Sequence, residues 1–264
     1  MGFFDKFKKK GKDNSVQKEN SLIISMPMFN SDEHYSLEKI VNDLKSYWNL
    51  NIAEISGDDS VAMLKVENET VAIAFISAPI PSEELESIMG FNYLWKNSKE
   101  ELNTLKSHAI VSVLGSNTDH VERFKILTKV NASILRTTDN SLGIYQGSQT
   151  LLLPKNLFLD FADFLLDDML PIQLWVYVGV ISDEKSSIYT YGMKEFGKSE
   201  VEIINSTMTG DELYDFLLEI LNYIIESDVT LNDGETIGFS TEQKIKITKS
   251  KAIYLDGDSL KLKI

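Results

Sequence analysis

Histidines, carboxylates and a glycine-bracketed Lys–Glu pair are the side chains of this 264-residue chain with the means for chemistry. His108 and His120 flank the apolar run HAIVSVLG, and Asp119 and Glu122 neighbour His120. A hydrolytic metal site is built from such groups, but it needs them at ligand spacing around one ion. Here the spacing is wrong. Surface or packing roles explain both histidines, and His34 stands alone in a polar turn, so no metal is expected. Asp160, Asp163 and Asp167 form a stripe at i, i+3 and i+7, whereas a divalent ion needs convergent oxygens from a tighter loop. A solvated helix face accounts for them. Paired-carboxylate acid–base work also requires two acids to converge, and nothing in the sequence brings two together.

The stretch TYGMKEFGKSEVEI, residues 190–203, is the most suggestive. Gly192 and Gly197 are suited to positive φ, with Lys194 and Glu195 as tip residues between two strands. The reading is a hairpin first and an active-site loop second. Glu200 and Glu202 alternate with Val201 and Ile203, which predicts a shared, solvent-facing side. Upstream, Trp175 and Tyr177 share one strand face and Tyr189 and Tyr191 another. Such a surface offers rigid apolar area with polar handles and makes a binding platform, unless Phe-rich helices cover it. The candidate binding residues are therefore Trp175, Tyr177, Tyr189, Tyr191, Lys194 and Glu195, with no catalytic residue and no cofactor expected. A pocket between the two halves of the chain remains as an enzymatic alternative, with Tyr191, Lys194, Glu195 and His108 as its first candidates.

Several chemistries lack their signatures. There is no cysteine, which removes disulfides, thiolate ligands and a cysteine nucleophile. Neither a G-x-S-x-G elbow nor a phosphate-cradling glycine motif occurs. Arg123 and Arg136 are the only arginines, so bidentate phosphate clamping is poorly supplied.

Charge narrows the partners. The net charge is −14, but residues 1–20 hold six Lys against Asp5, Asp13 and Glu19, leaving −17 for the remainder. That field disfavours nucleic acid and anionic membranes and favours a basic protein partner. No apolar run approaches the roughly 18 residues of a membrane span, so no integral membrane association is expected. The N-terminus lacks the long apolar stretch of a secretory signal, and a cytoplasmic location is expected. Residues 1–20, with Phe3, Phe4 and Phe7, read as a mobile basic tail.

The elements that must position these groups follow from periodicity. A strand at 21–29 precedes a helix capped by Ser36, with Leu37, Ile40, Val41, Leu44 and Trp48 at helical spacing. A hairpin about Asn68, an acidic-start helix after Pro81 and the strand at 108–115 complete a βαββαβ order, compatible with a ferredoxin-like sandwich. A helix over 119–135, a Phe-rich helix after Pro154, three strands, a Thr209–Glu212 capping box and a hairpin at Asp256–Gly257 follow. The expected class is α+β: two similar ferredoxin-like halves, 21–140 and 141–264, with mostly antiparallel sheet and an internal duplication. TYGMKEFGKSEVEI, SAPIPSEEL and GETIGFSTEQKIKIT together resemble the bacterial family called domain of unknown function 4261, whose named domain corresponds to the last third of the chain. The resemblance implies a bacterial, cytosolic origin and supplies no catalytic residues. The expected function is a non-enzymatic protein-binding module with an acidic surface, of immunity or antagonist type.

Overall fold

The computed structural model describes residues 22–114, 119–238 and 244–264, so the expected tail at 1–20 lies outside the described residues. Among the described residues thirteen strands form two mostly antiparallel sheets, accompanied by six α-helices, an α+β fold. The first sheet collects β1 (Ile23–Phe29), β2 (Ile52–Gly57), β3 (Val61–Val66), β4 (Glu69–Ile76), β5 (Ser107–Leu114), β6 (Ser141–Gln146) and β7 (Leu151–Pro154). Its order is β2-β3-β4-β5-β1-β6-β7, antiparallel throughout. The ferredoxin-like order would put β1 between β4 and β5. Instead β5 lies between β4 and β1, because it pairs with β4 from Thr70–Leu114 through Ile76–His108.

Three helices cover one face of this sheet: α1 (Leu37–Ser46), α4 (His120–Thr137) and α5 (Lys155–Ala162). Ser36 caps α1 as its residue type predicts, and Leu37, Ile40, Val41 and Leu44 form the buried stripe. α4 is more deeply enclosed. Its N-cap Asp119 accepts from Glu122 N, and beyond that turn apolar and small polar residues alike are buried. Among them Asn131 exchanges hydrogen bonds with Ser25 Oγ of β1, which satisfies two buried polar groups inside the core. The opposite face is covered only in part. α2 (Ser82–Met89) and α3 (Ser98–Glu101), with Trp95 and Leu102, pack on Met28, Tyr145 and Leu152 of β1, β6 and β7.

The second sheet has the order β11-β12-β13-β10-β9-β8. Its strands are β8 (Tyr177–Ser182), β9 (Ser186–Tyr191), β10 (Val201–Ser206), β11 (Thr236–Ile237), β12 (Ile245–Lys251) and β13 (Asp258–Lys263). β10 and β13 run parallel, and every other pairing is antiparallel. Between them in the chain comes α6 (Gly210–Glu226), started by a complete capping box of Thr209 and Glu212. Leu213, Leu217, Ile220, Leu221 and Ile224 bury its apolar stripe in the same core as Val178, Ile188, Val201 and Ile203. At about 1.5–3 kcal/mol for each such side chain, this packing outweighs any intrinsic helix preference. The last hairpin turns at Asp256–Gly257, where Gly257 takes φ +86°.

The two sheets are not copies of one another. One is wholly antiparallel with seven strands and the other has six with a parallel pair, so the duplication has no counterpart in topology. The sheet division also falls later than residue 140: β6 and β7 add to the edge of β1 and belong to the first sheet. The larger of two hydrophobic clusters among the described residues runs through both sheets, and the smaller lies under α2. Trp175 sits in the larger, its indole Nε1 donating to Thr128 Oγ1 of α4 at 2.8 Å.

Candidate functional site

The stretch between β9 and β10 is a hairpin connection tightened by one turn of 3-10 helix at Met193–Phe196. Gly192 and Gly197 bracket that turn at φ +118° and +68°, conformations that an L side chain strains to adopt. Glu200 holds the turn from within. Its Oε1 accepts from Gly192 N at 2.9 Å and Met193 N at 3.0 Å, and its Oε2 accepts from Thr190 Oγ1 at 2.7 Å. Burial pushes the Glu200 carboxyl above its ordinary value, against the pull of those donors.

The expectation that Glu200 and Glu202 face solvent is overturned. Glu202 is fully buried. It accepts from Ile253 N, Tyr254 N at 2.8 Å and Ser259 Oγ at 2.7 Å, and it pairs with the Lys261 ammonium. The chain from 252 to 257 folds back over this face and stacks the Tyr254 ring on Tyr189, with centroids 5.5 Å apart. Burial disfavours the Glu202 carboxylate, but Lys261, Ser259 and the two amides outweigh it and hold the carboxyl below its usual range.

The six candidate binding residues separate into three environments. Trp175 precedes β8 rather than lying in it, and it is fully buried against Phe124 and Phe196. Tyr177 and Tyr189 do share one sheet face, with ring centroids 6.2 Å apart, in a row that continues to Phe91 at 5.5 Å. Gly179 makes room for that row: a Cβ there would lie 2.2 Å from Tyr189 Cζ. Phe91 and Tyr93 lie against β8, where Tyr93 Oη donates to Val178 O at 2.8 Å. The aromatic platform is thus mostly internal packing between β8, β9 and the segment after α2. Tyr191, Lys194 and Glu195 stay at the loop, where the Lys194 ammonium stands 5.5 Å from the centre of the Tyr191 ring.

Phe196 and Lys198, which follow Glu195 in the chain, line a cleft of about 490 Å³ between the N-terminal end of α4 and the C-terminal end of α6. Its walls include Asp119, His120 and Glu122 of α4, Asp168, Phe196 and Lys198 of the loops, and Glu226 and Asp228 at the end of α6. Phe196 forms the base, stacked on Phe124 at 4.7 Å. Lys198 bridges to Asp228 Oδ1 at 2.6 Å, and Lys125 to Glu122 at 2.7 Å. Both lining lysines are therefore already engaged by two of the five lining carboxylates, and the rim remains negative. Burial raises the half-buried Glu195 carboxyl, while Lys194, His120 and Arg123 draw it back. The histidine whose charge acts on Glu195 is thus His120. His108 belongs to β5, where its Nδ1 lies 2.8 Å from Ala78 O and burial lowers its pKa.

His120, Lys198 and Asp228 were the residues that sequence reasoning did not bring together. The only local signal was acids at positions 119 and 122 around a histidine. A second recess, of about 920 Å³, lies between α2 and residues 98–105 and includes no residue of the 190–203 stretch. Among the described residues no three His, Asp or Glu side chains are placed to hold a metal ion. No helix among them is long and apolar enough to cross a membrane.

A family profile described as Domain of unknown function (DUF4261) matches residues 189–263. The matched span runs from β9 to β13 and contains the 190–203 stretch, both internal carboxylates and the α6 side of the cleft. The α4 side and the segment at 77–85 lie outside it. No curated protein and no solved structure matches the chain.

Proposed function

We propose that this protein is a binding module whose acidic cleft between α4 and α6 receives a basic segment of a protein partner. The observation that carries the reading is the charge of the cleft: five carboxylates against two lysines that are already paired. Around it the chain beyond residue 20 carries −17, a field that speeds encounter with a cationic partner and repels anionic ones. An immunity or antagonist role against a basic protein, in the cytoplasm of a bacterium, is the concrete form. Phe196 supplies an apolar base and the carboxylates a rim, an arrangement that grips a lysine or arginine stem and leaves its charge at the edge.

A second reading is favoured by one pair. Glu195, half-buried with a raised carboxyl, feels the charge of His120 in the cleft wall, and perturbed acids near clefts are candidates for proton transfer. That reading is an enzyme acting on a small molecule or peptide held between the two sheets' helices.

The deciding experiment captures partners from native extract, purifies the one retained and titrates it calorimetrically against the wild type and the Asp168→Lys/Glu226→Lys pair. Binding weakened by about tenfold or more, with strong salt dependence, is expected. Unchanged affinity in the charge-reversed pair sinks the basic-partner reading. Turnover of a peptide or metabolite by the wild type, lost in Glu195→Gln, would establish the enzymatic one in its place.

A further inference from the structure

The recess of about 920 Å³ beside α2 differs in character from the acidic cleft between α4 and α6. Its walls come from the β4–α2 connection, from α2 and from residues 96–105. α2 has eight residues and α3 four, too little helix to roof the space between them. One side is hydrocarbon. Ile80, Leu85 and Leu102 are buried in the smaller hydrophobic cluster, and Met89 and Leu105 pack half-buried against it. The other side is polar and cationic. Lys96 and Lys99 are exposed there, and among the described residues neither forms an ion pair. Glu86 is the lining acid, while Glu83, Glu84, Glu100 and Glu101 do not line the recess. Ser98 stands between the two lysines in the chain and is only 3% exposed. Among the described residues its hydroxyl has no hydrogen-bond partner. Buried hydroxyls are nearly always paired, so an unpaired one in the wall of a recess is a donor that a ligand can use.

We propose that this recess binds a free single-chain acyl acid, its carboxylate held by Lys96, Lys99 and Ser98 and its chain laid along Leu85, Met89 and Leu102. Hydrocarbon facing unpaired donors matches a molecule with an apolar body and one anionic end. Size agrees, since small-molecule pockets run from about 300 to 1,000 Å³. Lysine-to-carboxylate hydrogen bonds are about twice as strong as neutral ones, so two lysines and a hydroxyl suffice to orient the head group. The negative body repels anions at range, but its field is screened beyond about 8 Å at physiological ionic strength, and the lysines act at contact. This inference does not rest on the α4–α6 cleft.

Calorimetric titration of the full chain with decanoate and with dodecanoate, each below its micellar concentration, tests the proposal. One site per chain is expected, and the two added methylenes should tighten binding by about tenfold. Replacing both exposed lysines, Lys96→Gln with Lys99→Gln, is expected to weaken dodecanoate binding by about tenfold, and Ser98→Ala by about threefold. Met89→Glu sets a carboxylate beside the acyl chain and should abolish binding, with an unchanged thermal midpoint showing that the fold persists. No heat with either acid overturns the proposal, and so does equal affinity in the wild type and the double-lysine variant. Equal binding of decyltrimethylammonium and decanoate overturns it as well, since the recess would then be indifferent to the charge of the head. Retention on phosphatidylcholine vesicles without binding of the free acid also overturns it and makes a bilayer the source of the acyl chain.

Discussion

On the second sheet a carboxylate, Glu202, is fully buried between β9 and the turn at 252–257, and every donor around it points inward. On the first sheet Val61 and Met63, both apolar, stand in solvent. The two regions invert the usual sorting in opposite directions. The polar inversion is closed, because Lys261, Ser259 and two backbone amides satisfy the charge inside this chain. The apolar inversion is open, because nothing among the described residues covers the hydrocarbon. A buried acid with all its partners present therefore accounts for itself as structure, while the exposed apolar residues have no such completion among the described residues.

The largest effect that bears on this contrast is expected at Glu202. Glu202→Gln leaves the Lys261 ammonium facing a neutral amide, and removal of one partner of a buried pair costs about 3–5 kcal/mol. Urea denaturation measures it; a loss below about 1 kcal/mol would mean that the site is wetter than the packing shows. The same variant reads out in pH. The Glu202 carboxyl is held below its ordinary value of 4.5, so its contribution to stability is fully present above that value and is lost as pH falls through the folded one. Glu195 and Glu200 are held above the ordinary value and act in the opposite sense, since their protonation on acidification favours the fold. The acid limb of the stability profile is expected to be shallower in Glu202→Gln than in the wild type.

A middle-sized effect is expected at Gly179. An alanine Cβ would meet the Tyr189 ring at 2.2 Å, and overpacking of this kind costs about 1–3 kcal/mol. Combining Gly179→Ala with Tyr189→Leu is expected to recover part of the loss. If it recovers none, the aromatic row is not what excludes the side chain.

The smallest effect is expected on the open face. Val61→Thr changes an exposed residue and should alter stability by no more than about 0.5 kcal/mol, read from the thermal midpoint. A clearly larger loss would show that Val61 is covered in solution and would erase its contrast with Glu202.

Much of the local structure was legible along the chain. Ser36, Asp119 and the Thr209–Glu212 box start their helices as residue type predicts, and the apolar stripe of α6 is the buried one. Gly192, Gly197 and Gly257 take the positive φ expected of them, because these demands are met within a few residues. The acidic composition and the 190–203 hairpin were legible for the same reason. What alternation could not supply is which face of a strand another part of the chain will cover. Glu202 is spaced like a wet residue and is buried by a turn 50 residues away; Trp175 is spaced like a platform residue and is claimed by Thr128 of α4. The order of β5 between β4 and β1, and the action of the His120 charge on Glu195, are likewise set by packing between distant segments. Residue order alone dictates where each element begins, turns and presents an apolar side, since those are short-range matters of propensity and capping. What each side faces is settled in three dimensions, because burial, and with it the state of every carboxylate here, belongs to two surfaces at once.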